Sequence, residues 1–299
     1  MKERMRSRIS HAKKIDRLMT LLFTAIGGFF LIFILFLAGY IIVGGLMSYF
    51  PGVLSFSSKG IGNQLFNTIY LLFLSLLFSC FVGIPAGIYM AEYAGKGKAT
   101  EFLRMSIESL SSLPSIVIGL FGYLAFVLSF GASWNLLAGS VTVSILSIPL
   151  ITTSTEDAIR ALPPSFVEGS MALGSTHWYA IVHTLLPAAL PRIGSGIILA
   201  AGRVFGEATA LMYTSGMSTR IDWANWDFTS PLNALNPFRT GETLALHIWV
   251  MRSEAVDPNS AKIASFSAAI LVIVVLLFSL AARKIVSNMN KKQTGSEKK

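Results

Sequence analysis

The apolar residues of this chain fall in unbroken blocks of 20 or more. At about 1.5 Å of rise per residue, a helix of that length crosses the ~30 Å hydrocarbon core of a bilayer. Backbone groups in that core find no water, so each block must satisfy its own hydrogen bonds as a helix. Six such spans are read, at 18–47, 65–91, 107–130, 135–155, 189–213 and 262–282. The fold class is an all-α integral membrane protein. Of the 299 residues, 53% are hydrophobic and only 13% charged, about half the charged share of a soluble domain. The first block is far longer than the apolar core of a signal peptide, about 7–15 residues. It is therefore read as a first membrane helix, preceded by a basic tail at 1–17 and matched by a second tail at 283–299. Pro114, Gly119 and Gly122 in the third span and Pro149 in the fourth mark places where a bundle can bend.

Orientation follows from the basic residues, which cytoplasmic segments concentrate. With the N-terminus inside, 18 Lys and Arg fall in cytoplasmic segments and five outside: Lys59, Arg220, Arg239, Arg252 and Lys262. This predicts both termini in the cytoplasm and region 214–261 outside, its Trp223, Trp226 and Trp249 suited to the membrane interface. The same bias accounts for the net charge of +9 without nucleic acid. The lone cysteine, Cys80, allows no intrachain disulfide and no cysteine-based metal site. The four histidines have no acidic neighbours that would complete a ligand set. No Ser–His–Asp pattern and no Gly-rich phosphate loop is present. The chain is thus read as neither an enzyme nor a holder of cofactors, and not as a nucleotide hydrolase by itself.

Residues 163–187, PPSFVEGSMALGSTHWYAIVHTLLP, form the most patterned polar connection. Pro163 and Pro164 stop a helix arriving from the fourth span. Ser165 is placed to cap a new helix, with Glu168 completing a capping box. Gly174 suits a left-handed helix stop, Thr176 can cap a second helix, and Pro187 would lie at its far end. The hairpin carries more apolar side chains than a solvated loop needs, among them Phe166, Met171, Leu173 and Trp178. The segment resembles the EAA loop of ABC importer membrane subunits. Glu168, Gly174, Leu186 and Pro187 fall on that motif's spacing, and Gly169 and Ser170 stand where the family has two alanines. The resemblance implies the type I importer permease fold and a loop that docks into a groove on a separate ATP-hydrolysing subunit.

Two charges sit in the fifth span, Arg203 and Glu207, four residues apart and so expected on one helix face. A mid-bilayer charge costs at least about 2.5–3.5 kcal/mol. Two readings stay open: an ion pair that glues helices, or a pair on a translocation path, where the planar fork of arginine suits an oxyanion. Arg104 and Glu108 form a second pair at that spacing, read as structural, and Glu92 is read as marking a helix end.

Three further stretches resemble the phosphate-specific branch of the importers: IESLSSLPSIVIGLFG at 107–122, FVGIPAGIYMAEYA at 81–94 and RVFGEATA at 203–210. The resemblance implies a half-pore that pairs with a second, homologous permease. It also implies two copies of an ABC ATPase, an extracytoplasmic phosphate-binding protein and inorganic phosphate as substrate. Another oxyanion, such as sulfate or molybdate, is the alternative cargo. An ion-gradient-driven transporter would need acids in several spans, and Glu207 is the only one read deep in a span.

Overall fold

The computed structural model describes residues 2–57, 60–95, 97–254 and 258–293, with helices and no strand among them. Lys59, Lys96, Lys298 and Lys299 of the charge count lie outside the described residues. Helix α1 is Lys2–Leu46. Helix α2, Gly62–Ile88, widens into a π turn at Tyr89–Tyr93. Helix α3, Lys98–Ser112, precedes α4, Ser115–Gly122, which also ends in a π turn, Tyr123–Leu128. After α5, Leu136–Arg160, come α6, Ser165–Ala172, and α7, His177–Ala180. The π turn Ile181–Leu185 joins α7 to α8, Leu186–Phe205, and the short α9 is Thr209–Thr214. Helices α10, Leu244–Ser253, and α11, Ser260–Gln293, close the chain.

Five continuous helices are long and apolar enough to cross a membrane: Ala12–Leu46, Gly62–Tyr93, Leu136–Arg160, His177–Phe205 and Ser260–Lys291. The third of the expected spans, 107–130, is not one straight helix. Lys98–Ser112 and Ser115–Leu128 meet at 101°. Pro114 has no N–H to continue the ladder, and it forces Leu113 into an extended conformation with ψ 134°. The bent pair nevertheless passes from one end of the bundle to the other. Arg104 meets Glu156 near the C-terminal end of α5, and Gly122 packs on Thr142 near its N-terminal end. Counted as one crossing, the pair brings the total to six, the expected number.

The fifth span also differs from its expected 189–213. It begins at His177, because the helix does not stop at Pro187. Pro187 would leave a normal α-turn one donor short and press its ring on the preceding turn. The wider π turn just before it relieves that crowding, and the Leu186 N–H reaches back to the Ile181 carbonyl.

Helix α5 is the centre of the bundle. Of its most apolar 18-residue window 67% is buried, against 0% for α1. Glycines let its neighbours come close. A Cβ on Gly87 of α2 would lie 2.5 Å from Thr155 Cβ, and one on Gly83 3.0 Å from Ile151 Cβ. Leu71, Val143, Leu146, Val204, Phe205 and Leu211 fill the space between α2, α5, α8 and α9. Helix α1 rests on α11 through its last turns, where Gly45 abuts Ala269, and leaves a long row of Leu and Phe side chains exposed.

Candidate translocation and coupling sites

Helix α8 ends at Phe205, and Ala208, with φ −125° and ψ −43°, stands outside any helix. Glu207 fills the break. It is 9% exposed, and its Oε1 accepts the N–H of Ala210 at 2.9 Å. A carboxylate there satisfies one of the donors that a helix start leaves open. Arg203, one turn earlier, is exposed, and among the described residues no ion pair joins it to Glu207. The expected pairing on one helix face is overturned, because the helix that would align the two ends between them. What remains is an exposed face of α8 carrying Arg192, Ser195, Leu199, Gly202, Arg203 and Gly206. Gly202 and Gly206 flank Arg203 on that face, so its guanidinium stands clear beside the exposed Leu199.

The break is braced from the side. A Cβ on Gly119 of α4 would lie 2.7 Å from the Ala210 Cα, so the backbones of α4 and α9 touch. Irregular backbone at membrane depth is tolerated where protein buries it or a cavity receives it. Here the two interrupted spans, α3–α4 and α8–α9, pack against each other.

At the opposite end from the 215–243 connection, α6 and α7 form the expected hairpin. Gly174 has φ +87°, the left-handed stop, and Thr176 Oγ1 accepts the Tyr179 N–H at 3.3 Å as the cap of α7. Ser170 and Ser175 hydroxyls bond across the turn at 2.8 Å. Two details are corrected. Pro164 is the residue before α6 and Ser165 its first helical residue, with no side-chain cap and hence no capping box. Leu186 and Pro187 lie within the helix that runs on from the hairpin, not at its end. Glu168 and Gly169 are exposed, as are Phe166, Met171, Trp178 and Tyr179, and no residue of α6 is buried.

Polar contacts tie this hairpin to the bundle. His177 Nε2–H donates to Glu92 Oε2 at 3.0 Å, and the Tyr93 ring meets the imidazole edge to face at 5.3 Å. Glu92 thus stands in the turn that closes α2 and also holds the hairpin. Arg160 Nη2 donates to the Met90 carbonyl at 2.9 Å. Glu156, buried, accepts from Arg160 Nε at 3.0 Å and from Arg104 Nη2 at 2.7 Å. The expected Arg104–Glu108 pair does not form: Arg104 reaches across to α5 because α3 is turned away from the bundle axis.

The 215–243 connection, read from sequence only as an interfacial loop, is an ordered cap with a buried polar core. Arg239 is 1% exposed. Its Nη2 donates to Asn67 Oδ1 at 2.6 Å and Ala234 O at 3.0 Å, and its Nη1 to Thr240 O at 3.1 Å. Burial pushes its pKa down to about 10, which leaves it charged at neutral pH. Asn67 Nδ2 donates to the Glu242 carbonyl at 2.9 Å, and Glu242 Oε2 accepts from Gln64 at 3.1 Å and His247 at 3.0 Å. Trp223 donates to Asn63 Oδ1 at 3.0 Å and packs on Phe56 and Phe66. The only sequence signal was a set of Asn, Arg and Glu residues among prolines and aromatics, with nothing to show that they converge.

Five continuous crossings, one bent crossing and an exposed hairpin make a multi-span membrane bundle, and comparison with known proteins gives its class. Residues 83–292 match the family described as binding-protein-dependent transport system inner membrane component. The chain belongs to that family: it is a multi-pass inner-membrane permease subunit of an ABC importer. Over 288 residues it is 41% identical to a probable ABC transporter permease protein, YqgI, of Bacillus subtilis (strain 168), covering 94% of this chain and 98% of that one. It is 32% identical over 234 residues to the phosphate transport system permease protein PstA 2 of Mycobacterium tuberculosis (strain CDC 1551 / Oshkosh), covering 78% and 73% of the two chains. A solved bacterial ABC transporter involved in the import of the acidic polysaccharide alginate shares the fold, with TM-score 0.62 at 16% identity over 90% of this chain and 95% of that chain.

Proposed function

We propose that this chain is one permease half of an ATP-driven importer of inorganic phosphate, with both termini in the cytoplasm. The observation that carries the reading is Arg203. It is an exposed guanidinium on a membrane helix, one turn before an interrupted backbone and without a carboxylate partner among the described residues. A fixed cation with a planar fork suits a tetrahedral oxyanion. Similarity to a phosphate transport permease at 32% identity favours phosphate over sulfate or molybdate. The family sets aside an ion-gradient mechanism.

In this reading the domain is the bundle at 18–282, flanked by basic tails. A homologous second permease covers the open face of α8, and two copies of an ABC ATPase lie beneath. The hairpin at 163–187, with Glu168, Gly169, Ser170 and Gly174 exposed or at its turn, engages one of them. An extracytoplasmic phosphate-binding protein delivers substrate to the cap end.

Arg203→Lys tests the reading, since it keeps the charge and loses the fork. Cells carrying it should hold normal amounts of the protein and take up labelled phosphate about ten-fold more slowly, the worth of roughly one charge-assisted pair. Labelled sulfate uptake that depends on the chain, with phosphate uptake indifferent to it, would overturn the choice of substrate. Unchanged phosphate uptake in the Lys variant would remove Arg203 from the path. Orientation is tested with single cysteines at Ser287 and Asn225 in a chain lacking Cys80: an impermeant thiol reagent should label the second and spare the first.

A further inference from the structure

The hairpin ends of α8 and α11 diverge into a cleft of about 530 Å³. Its walls carry Arg192 and Ser195 from α8 and Arg283, Ser287 and Asn290 from α11. Positions 283, 287 and 290 share one face of α11, and 192 and 195 one face of α8, at i, i+3 or i+4 spacing. The two helices come close beside these side chains, where a Cβ on Gly194 would lie 2.9 Å from Val286 Cγ2. Val286 is itself part of the cleft wall, between Arg283 and Ser287 in sequence.

The charge balance there is one-sided. Neither α8 nor α11 contains an Asp or Glu anywhere along its length. Both arginines are exposed, and neither is in an ion pair among the described residues. Arg283 is also the first charge after the long apolar run of α11, which places the cleft where hydrocarbon gives way to the polar interface. Two forked cations with the Ser287 hydroxyl beside them form a donor set for a phosphate group; the Ser195 hydroxyl donates to the Pro191 carbonyl at 3.2 Å. Basic pockets between membrane helices on the cytoplasmic side also receive anionic headgroups.

We infer that this cleft is a binding site for a phosphate-bearing anion, supplied either as free orthophosphate or as the headgroup of an anionic phospholipid. The free-phosphate source rests on the proposed function. Arg192 and Arg203 stand 11 residues apart, which on an ideal helix is about 16 Å along the axis and about 20° around it. Both lie on the same exposed face, so the cleft would be a lower station on the route that passes Arg203. The lipid source needs no assumption about cargo.

The test uses the protein in the assembly in which it leaves the membrane, placed in phosphatidylcholine nanodiscs. One arm counts phosphatidylglycerol molecules retained per chain by native mass spectrometry during titration. The other measures binding of labelled orthophosphate with phosphatidylcholine as the only lipid. Arg192→Gln combined with Arg283→Gln should weaken at least one of the two about ten-fold or more. Lys284→Gln removes a neighbouring charge outside the cleft and should leave both unchanged. Loss confined to phosphatidylglycerol identifies a headgroup seat, and loss of orthophosphate identifies a station on the path. Equal binding of both probes by wild type and the double variant would overturn the site, as would an equal loss in Lys284→Gln. A wild-type importer that moves no phosphate would sink the proposed function, and the lipid arm would then decide the cleft alone.

Discussion

At the cap end of the bundle Arg239 is 1% exposed and bonded to three acceptor groups, whereas at the hairpin end Leu173 is 93% exposed. The two connections thus invert the ordinary rule of polar outside and apolar inside. The cap bonds most of its buried polar groups internally, through Asn67, Arg239 and Glu242, and so links α2, α5 and α10; Glu242 Oε1 and Gln64 Oε1 are the buried oxygens it leaves without a hydrogen bond. The hairpin leaves Phe166, Met171, Leu173, Trp178 and Tyr179 exposed and is tied to the bundle through His177, which meets Glu92 and Tyr93, and through Val167, Ile181 and Leu185, which pack with Ala158 and Ile159. A cap whose charges are bonded within the chain is a structural element. Apolar side chains left outside on the hairpin are, in the proposed reading, surface for another protein to cover.

The largest effect on stability should come from breaking the cap. Arg239→Ala leaves Asn67 Oδ1, Ala234 O and Thr240 O without their donor, each at about 1–3 kcal/mol. The desolvation cost that disappears with the charge offsets part of this, so a net loss of about 3 kcal/mol is expected. Thermal unfolding of the purified protein and its level in membranes measure the loss. A variant as stable as wild type would show that the buried network is ornamental and the comparison mistaken.

Gly174→Val comes next. Nothing lies within 4 Å of a Cβ at this position, so the penalty is confined to the backbone at φ +87°, about 1–2 kcal/mol locally. The bundle should insert and melt normally while transport and ATPase recruitment fail. Normal transport would dissociate the turn from coupling.

The six crossings, the hairpin with its Gly174 stop and Thr176 cap, and the family were all legible in the sequence. Each rests on a local pattern: apolar length, a capping residue, a motif at fixed spacing. The features that escaped depend on contacts distant in the chain. Arg239 and Asn67 are 172 residues apart, and Arg104 chooses Glu156 over Glu108 only once Pro114 has turned α3 aside. The π turn before Pro187 escaped for another reason: a proline in a helical pattern reads as a stop until a wider turn is seen to absorb it. The same limit explains Arg203 and Glu207, whose spacing implies a shared face only if the helix continues. Exchanging their charges is accordingly a poor test of function, because an arginine in place of Glu207 cannot accept the Ala210 N–H.

A smaller stability effect should follow from loosening the hairpin's tie. Glu92→Gln replaces the carboxylate facing His177, a partly buried pair whose loss costs about 0.5–1 kcal/mol. Transport should fall several-fold while insertion is unaffected. Restoration of full transport by a second-site change that re-ties α7 to the end of α2 would mark the contact as positioning. Full transport in Glu92→Gln alone would leave the hairpin anchored by Tyr93 and by the packing of Val167 and Ile181 with Ala158 and Ile159.

Leu173→Ser should have the smallest effect on the fold and is the sharpest test of the contrast. Leu173 closes α6 just before the turn and touches little of its own protein, so a polar replacement should shift stability by no more than about 0.5 kcal/mol. If the exposed apolar side chains exist for a partner, the cost appears only where the partner is counted. Co-purification of the ATPase with the permease should weaken about ten-fold, as when a buried leucine-sized anchor is lost from an interface. The melting temperature of the permease separated from the ATPase should not move. Thr240→Ala at the cap end makes the reciprocal control. Its carbonyl, the group that Arg239 uses, is untouched by the substitution, so the cap should stay folded and ATPase recovery unchanged. Equal ATPase recovery with the wild-type and Leu173→Ser chains would mean that the exposed hairpin surface is covered by lipid or by nothing, and the distinction between a completed cap and an uncompleted hairpin would fail.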